Sequence, residues 1–165
     1  MLGAAASGRH HSMFSTSRVP FMLRPLRVAV LLALALPAVP VFAAASDLTT
    51  ESERSGFVRT GRYEEVIALC DRFAKAYPKA VRCIEFGTTP EGRPMKALVA
   101  STRGAFTPDQ ARRQNLPVVL IQGGIHAGEI DGKDAGFLAL REVLDGKAAP
   151  GALDKLVWVF VPVFN

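Results

Sequence analysis

The stretch Leu120-Ile-Gln-Gly-Gly-Ile-His-Ala-Gly-Glu-Ile-Asp-Gly-Lys-Asp-Ala-Gly136 decides how this chain folds. It joins the end of an apolar run to the start of an amphipathic segment through a glycine-rich turn. The run 117–122 is continuously apolar and of strand length, a pattern typical of a strand covered on both faces. A helix is predicted over 131–144, with these residues facing inward: Ala135, Leu138, Ala139 and Val143.

A second long apolar run, 156–164, follows the predicted helix after a polar loop. Strand, helix and strand at this spacing predict a parallel βαβ unit, whose glycine-rich turn lies at the carboxyl end of the first strand. Ligands bind at that end of the strands in open α/β sheets. The second run is predicted to be a central strand, left as an uncovered apolar edge if the chain stops at Asn165.

His126 and Glu129 place an imidazole and a carboxylate three residues apart in this turn. Both are zinc ligands, and the glycines around them allow the sharp turn that lets both side chains reach one ion. A catalytic zinc site needs three protein ligands and an open position for water. Since His10 and His11 fall in a predicted leader, we expect the third ligand to lie outside this chain. Asp131 and Asp134 are predicted to cap the following helix, or to support the metal ligands.

The part of the chain before this turn is predicted to form a helix and a hairpin. Residues 63–77 carry Val66, Leu69, Cys70, Phe73 and Tyr77 at helical spacing, with Thr60 as the predicted cap and Pro78 as the stop. Two strands, 81–86 and 95–101, flank a segment rich in turn formers and should pair. A loop is predicted over 102–116. Arginines that could meet an acidic substrate are Arg93, Arg103, Arg112 and Arg113.

Residues 1–45 are predicted to be a leader that does not belong to the folded domain. Within it, 22–45 has a basic start, a short apolar middle and small residues at its end, the layout of a secretory signal peptide. Cleavage is predicted after Ala45, with Ala43 as the alternative. We therefore expect an exported protein, periplasmic or extracellular, without stable membrane insertion after cleavage. Residues 46–60 are predicted to be a polar connection to the domain that begins at residue 61.

The net charge of +5 arises mainly from this leader. Four of the 20 basic residues lie in it and none of the 15 acidic ones does, so 16 basic residues face 15 acidic ones from Ser46 onward. A near-neutral domain has no basic surface for nucleic acid, which excludes that class of partner. The two cysteines, Cys70 and Cys83, are interpreted as separate buried thiols rather than a bridge, because spacing alone does not supply disulfide geometry.

The chain from about residue 61 to its end resembles the amino-terminal part of the zinc metallocarboxypeptidase family, to which carboxypeptidase A belongs. The resemblance rests on four blocks in order: Tyr77-Pro78, Phe86-Gly-Thr-Thr-Pro-Glu-Gly-Arg-Pro-Met95, Gly124-Ile-His-Ala-Gly-Glu129 and Val161-Pro-Val-Phe-Asn165. It implies an α/β fold, a three-layer α/β/α sandwich around a mixed sheet, incomplete here and cut after a central strand. It also implies that His126 and Glu129 are the first two ligands of Zn²⁺.

The family resemblance further implies a peptidase that cleaves peptide bonds through a zinc-activated water, with a peptide or protein as substrate, and the predicted leader implies that it is exported. No catalytic residue is expected within this chain, because the family places its third ligand, carboxylate-binding residues and catalytic glutamate later. The chain alone should therefore be inactive. Gly128 replaces an arginine that many digestive members have before the glutamate ligand. Two alternatives stay open: a non-catalytic exported binding module of the same fold, and a related zinc amidoacid deacylase.

Overall fold

The computed structural model of the protein describes residues 48–165, which form one four-stranded mixed sheet with helices. The strand order is β1-β2-β4-β3. The predicted signal peptide and the rest of the leader lie outside the described residues. The elements, in chain order, are α1 (Glu51–Arg54), α2 (Tyr63–Ala76), β1 (Val81–Thr88), β2 (Pro94–Ala100), α3 (Pro108–Arg113), β3 (Val118–Gln122), α4 (Asp131–Leu144), a 3₁₀ turn (Ala152–Asp154) and β4 (Val157–Val161).

Both predicted strand pairings are confirmed. β1 and β2 form the antiparallel hairpin, with a register shift between Glu85 and Gly87. β3 and β4 run parallel, from Val118 opposite Val157 onward, with α4 as the crossover between them. β4 also pairs antiparallel with β2, so the hairpin and the βαβ unit share one mixed sheet.

One face of the sheet, called here the covered face, is closed by α2 and α4. Four of the five predicted inward residues are buried, among them Phe73 at 0% exposure, whereas Tyr77 is half-buried and lies just after the helix. Phe73 lies 5.6 Å from the ring of Phe137 on α4, and Phe137 meets Phe160 of β4 edge-on at 5.3 Å. These three rings form the centre of the main hydrophobic core.

Two details of α2 differ from the prediction. Thr60 does not cap it: the cap position is Arg62, which makes no side-chain hydrogen bond there, and the Thr60 hydroxyl donates instead to Asp134. Cys70 and Cys83 form a disulfide rather than separate thiols. Since α2 packs directly on β1, the two Cα atoms lie 5.3 Å apart, within the range that a bridge requires. The sequence could not supply this proximity because it arises from tertiary packing.

The inward face of α4 also differs from the prediction. The buried residues are Lys133, Gly136, Phe137 and Leu140, whereas Ala135 is exposed. A Cβ atom at Gly136 would lie 2.1 Å from the Phe160 ring, so the helix approaches β4 closely at a residue without a side chain. The apolar pattern missed this face because a glycine and a lysine occupy two of its positions.

The opposite face of the sheet, called here the open face, has a smaller cluster under α3. The loop predicted over 102–116 contains this helix, so that prediction was incomplete. Thr107 caps α3 by accepting a hydrogen bond from the Gln110 amide, and Pro108 stands in its first turn, where a proline is tolerated. The helix buries Ala111 against the sheet.

β3 is the edge strand, and this corrects the expectation that it is covered on both faces. Val118 and Leu120 are 54% and 61% exposed. β4 was predicted to be a central strand left as an uncovered edge. It lies between β2 and β3, with Phe160 and Val161 buried, so its central position among residues 48–165 is confirmed and the uncovered edge is not. The edge is β3, whose apolar sequence gave no sign of its exposure.

The connection before α2 is more ordered than its polar sequence predicted. Leu48 is buried in the main core, and α1 begins with a capping box in which Thr50 and Glu53 exchange hydrogen bonds. Glu53 also forms an ion pair with Arg141 of α4. Every helix among residues 48–165 is too short or too polar to cross a lipid bilayer.

Candidate metal site

The turn between β3 and α4, residues 123–130, is called here the metal turn. The amide of Gly123 continues the sheet by donating to the Val161 carbonyl at 2.8 Å. A Cβ atom at Gly123 would lie 2.7 Å from the Pro162 carbonyl oxygen, so a larger residue does not fit there. Gly124 and Gly128 have positive φ angles of 52° and 91°. Glycine adopts this conformation readily, and it reverses the chain directly after the strand.

The metal turn brings His126 and Glu129 together, as predicted. The imidazole Nδ1 lies 2.8 Å from Oε1 of the carboxylate, and the His126 amide donates to Oε2 at 3.1 Å. The Glu129 amide in turn donates to the His126 carbonyl at 3.2 Å. Both side chains face solvent, with exposed fractions of 77% and 55%. The hydrogen bond from the His126 side chain, assisted by that from its amide, lowers the pKa of the Glu129 carboxyl.

This donor pair fits a zinc ion in chemistry and in spacing. Zinc takes imidazole nitrogen and carboxylate oxygen at about 2.0–2.1 Å in a tetrahedral arrangement, so two such ligand atoms are about 3.3 Å apart. The observed separation of 2.8 Å between Nδ1 and Oε1 differs from this by a few tenths of an ångström, which a small side-chain rotation supplies. Among residues 48–165, no group of three or more metal-ligating side chains is gathered around one point. The described residues therefore bring two side chains of metal-ligating type together, without a third beside them.

The two aspartates after the turn do not cap the helix as predicted. The cap position of α4 is Ile130, which makes no side-chain hydrogen bond there, and Asp131 is the first helical residue. Asp134 accepts hydrogen bonds from Thr60 at 2.6 Å and from Lys133 at 2.5 Å. Neither aspartate caps the helix, because both lie inside it.

A cleft of about 420 Å³ opens beside Ala127 of the metal turn. Of the four arginines singled out from the sequence, only Arg93 lines it. Its guanidinium pairs with Glu91 at 3.1 Å and lies 5.8 Å from the centroid of the Tyr63 ring. Tyr63 was not predicted to line a cleft, because in the sequence this residue stands out only as the start of a helix. The full lining is Tyr63, Thr89, Pro90, Glu91, Arg93, Ala127, Val163 and Asn165.

The burial of Lys133, which is 5% exposed and lies in the first turn of α4, was also not predicted. Its ammonium group lies 3.8 Å from Glu65 of α2, as well as next to Asp134. A lysine on an amphipathic helix normally indicates a solvent-facing position, so the sequence contained no signal for its burial.

Known proteins share the similarity that the four sequence blocks indicate. The family profile described as zinc carboxypeptidase matches residues 66–165. Carboxypeptidase B of Helicoverpa zea is 29% identical over 130 residues, which cover 72% of this chain and 29% of that protein. An inactive metallocarboxypeptidase of Schizosaccharomyces pombe is 32% identical over 97 residues, which cover 56% of this chain and 19% of that protein.

Two solved structures match the fold. The crystal structure of carboxypeptidase A from Helicoverpa armigera aligns with a TM-score of 0.53 at 26% identity, over 74% of this chain and 28% of that one. Bovine thrombin-activatable fibrinolysis inhibitor, in complex with tick carboxypeptidase inhibitor, aligns at 0.51 and 19% identity, over 64% of this chain and 31% of that one.

The chain thus spans less than a third of the length of these relatives. The mixed α/β sheet and the four sequence blocks agree with the family profile, which covers more than half of the chain. This chain belongs to the zinc carboxypeptidase family.

Proposed function

We propose that His126 and Glu129 are two protein ligands of a catalytic zinc ion in an exported metallocarboxypeptidase that hydrolyses peptide bonds. The observation that carries this proposal is the approach of Nδ1 and Oε1 to 2.8 Å at the carboxyl end of a strand. Exposure of both side chains leaves the ion room for further ligands and for substrate. When bound, zinc supplies a Lewis acid for the scissile carbonyl and activates water as the nucleophile.

The residues of this chain would hold the ion and border the substrate. Gly124 and Gly128 let the backbone fold so that both ligands point to one side of the turn. The cleft beside Ala127 is lined by apolar side chains together with the polar groups of Glu91 and Arg93, which a peptide substrate could meet. A third ligand and a general base complete such a site, and we place both in the part of the family domain that this chain does not span.

Zinc binding tests the assignment directly. Calorimetry or competition with a chromogenic chelator should detect zinc binding by the intact parent protein, which also contains the proposed third ligand, and His126→Ala and Glu129→Ala should each weaken it by at least about tenfold, because each removes a direct ligand. Asp131→Ala is the matched control, since that carboxylate lies close by but outside the pair. Equal zinc affinity in all four proteins would overturn the assignment of the ligands.

Export is proposed from the sequence of residues 22–45, with its basic start, apolar middle and small residues at the end. Amino-terminal sequencing of the mature protein should give Ser46, or Ala44 if the alternative site is used. A mature protein that retains Met22 inside the cell would contradict export. It would leave the metal assignment untouched.

The second candidate function is a non-catalytic binding module with the same fold. The resemblance to an inactive metallocarboxypeptidase favours it, at 32% identity. A folded protein that binds no zinc at micromolar concentration supports this candidate over the first. Zinc binding without hydrolysis of peptides by the intact parent protein would support a metal-loaded but inactive relative.

A further inference from the structure

We infer that Lys133 is a positioning residue for the metal turn: its buried ammonium group fixes the start of α4, and thereby the place of Glu129. This inference rests on the proposed zinc site and names a part of it. The residues that carry it are called here the α4 clamp and are Thr60, Glu65, Lys133 and Asp134.

Lys133 is buried together with its counter-ions. Its side chain is 6% exposed, that of Asp134 is 11% exposed and that of Glu65 is 15% exposed. Removing an ammonium group from water costs several kcal/mol, which only close partners offset. The Nζ atom lies 2.5 Å from Asp134 and 3.8 Å from Glu65. A lysine held in this way has one stable position, unlike a solvated lysine.

The two carboxylates connect Lys133 to other segments. Oε1 of Glu65 accepts the Glu51 amide at 2.6 Å and the Arg54 guanidinium at 3.0 Å, both from α1. Asp134 accepts the Thr60 hydroxyl at 2.6 Å. The α4 clamp therefore joins the first turn of α4 to the start of α2 and to the segment that precedes it.

The first turn of α4 depends on this clamp because it has no cap. Ile130 makes no side-chain hydrogen bond to the free amides of that turn. Those amides need partners, and helix starts without a capping side chain fray. The ion pairs of Lys133 and Asp134 supply an anchor that the local sequence does not.

The clamp lies directly behind the metal turn. A Cβ atom at Gly123 would lie 3.1 Å from the Gly132 carbonyl carbon and 3.1 Å from the Lys133 amide nitrogen, so the start of α4 touches the end of β3. Between these two points the chain contains Gly124 and Gly128, which do not restrict their own backbone. The geometry of the turn is therefore set at its ends, and Lys133 fixes one of them.

The experiment compares Lys133→Met with Lys96→Met. Lys96 is the matched control because its side chain is also largely shielded, at 15% exposure. Its ammonium group pairs from β2 with Asp71 of α2 at 2.9 Å, and this pair includes no residue of the metal turn or of the α4 clamp. Without metal, amide hydrogen exchange should speed up over 124–130 in Lys133→Met and stay unchanged there in Lys96→Met. Zinc affinity should fall about tenfold in Lys133→Met, the lower end of the effect of residues that support metal ligands.

Glu65→Gln keeps the test decisive if Lys133→Met does not fold. It removes one counter-ion while keeping the side-chain volume. It should speed up amide exchange over 124–130 and lower zinc affinity, each by a smaller factor than in Lys133→Met. Unchanged exchange over 124–130 and unchanged zinc affinity in a folded Lys133 or Glu65 variant would overturn the inference. If wild-type protein binds no zinc, the proposed function fails, while faster exchange over 124–130 in Lys133→Met would still support positioning of the turn.

Discussion

On the covered face of the sheet, Phe73, Phe137 and Phe160 are at most 1% exposed, whereas on the open face Val118 and Leu120 keep more than half of their surface in solvent. The covered face also has the disulfide, and an ion pair that ties α1 to α4. The open face has one short helix over a small cluster. The contacts that stabilise residues 48–165 are therefore concentrated on the side of α2 and α4. Helix α4, which helps to close this face, begins directly after the metal turn.

The largest expected effect is on the aromatic core. Phe137→Ala should lower the free energy of unfolding by about 3–5 kcal/mol, because it removes a buried ring and leaves a cavity between two others. Ile84→Ala is the open-face control, since Ile84 is 41% exposed and should cost less than about 1 kcal/mol. Urea denaturation of both variants measures the difference. Equal losses of unfolding free energy in the two variants would show that the two faces are equally well packed.

The disulfide is expected to have the next largest effect. Replacing Cys70 and Cys83 by alanine should cost about 3 kcal/mol, the value for cross-linking a loop of this order in the chain-entropy account. The cross-link spans a sequence separation of 13. Thermal melting of wild type with and without a reducing agent, beside the double variant, provides the measurement. A melting temperature of wild type that does not respond to reduction would contradict the role of the bridge.

The ion pair between Glu53 and Arg141 should add an acid-dependent part to stability. Burial alone would raise the pKa of the Glu53 carboxyl, but hydrogen bonds from Arg141 and Thr50 outweigh it and leave that pKa lowered. A lowered pKa means that the contribution is complete above the ordinary value of about 4.5 and is lost as the pH falls through the folded-state value. Melting temperatures between pH 7 and pH 3 should therefore fall less steeply in Glu53→Gln than in wild type.

The control for this pH dependence is Asp109→Asn, which removes an ion pair with Arg112 whose side chains are 68% and 76% exposed. Solvent screens such a pair, so the variant should follow the wild-type curve. Parallel melting curves for Glu53→Gln and wild type would indicate that the ion pair between Glu53 and Arg141 does not contribute to stability.

The smallest effect on stability is expected on the open face. Leu120→Lys should change the free energy of unfolding by no more than about 0.5 kcal/mol, since its side chain is already 61% exposed. It should raise the solubility of the protein, because a charge interrupts an apolar edge strand. Denaturation together with light scattering against concentration measures both. A loss of several kcal/mol would show that this strand is covered in solution.

Sequence analysis predicted the elements that depend on local pattern. The period of α2, the turn formers between β1 and β2, and the strand-helix-strand spacing around α4 led to the observed pairings. The glycines of the metal turn indicated where His126 and Glu129 would meet. Their approach to 2.8 Å follows from a local reversal of the chain, and for that reason a short stretch of sequence was enough to predict it.

The features that were missed depend on distant segments. The disulfide requires α2 to pack on β1. The buried face of α4 and the burial of Lys133 require α4 to pack on the same side of the sheet as α2. Helix α3 was hidden in a loop because its six residues are too few to show a period. The cap of α2 was misplaced because Thr60 bonds to α4 instead.

By itself, the sequence determined that a strand would end in a glycine turn presenting an imidazole and a carboxylate, because backbone freedom and residue spacing act within a few positions along the chain. Only the tertiary structure decided that β3 is the edge of the sheet among residues 48–165, and that a lysine lies buried behind the turn. Edge position and burial are set by contacts between segments far apart in sequence, and an apolar run carries no mark of whether it has a neighbour on each side.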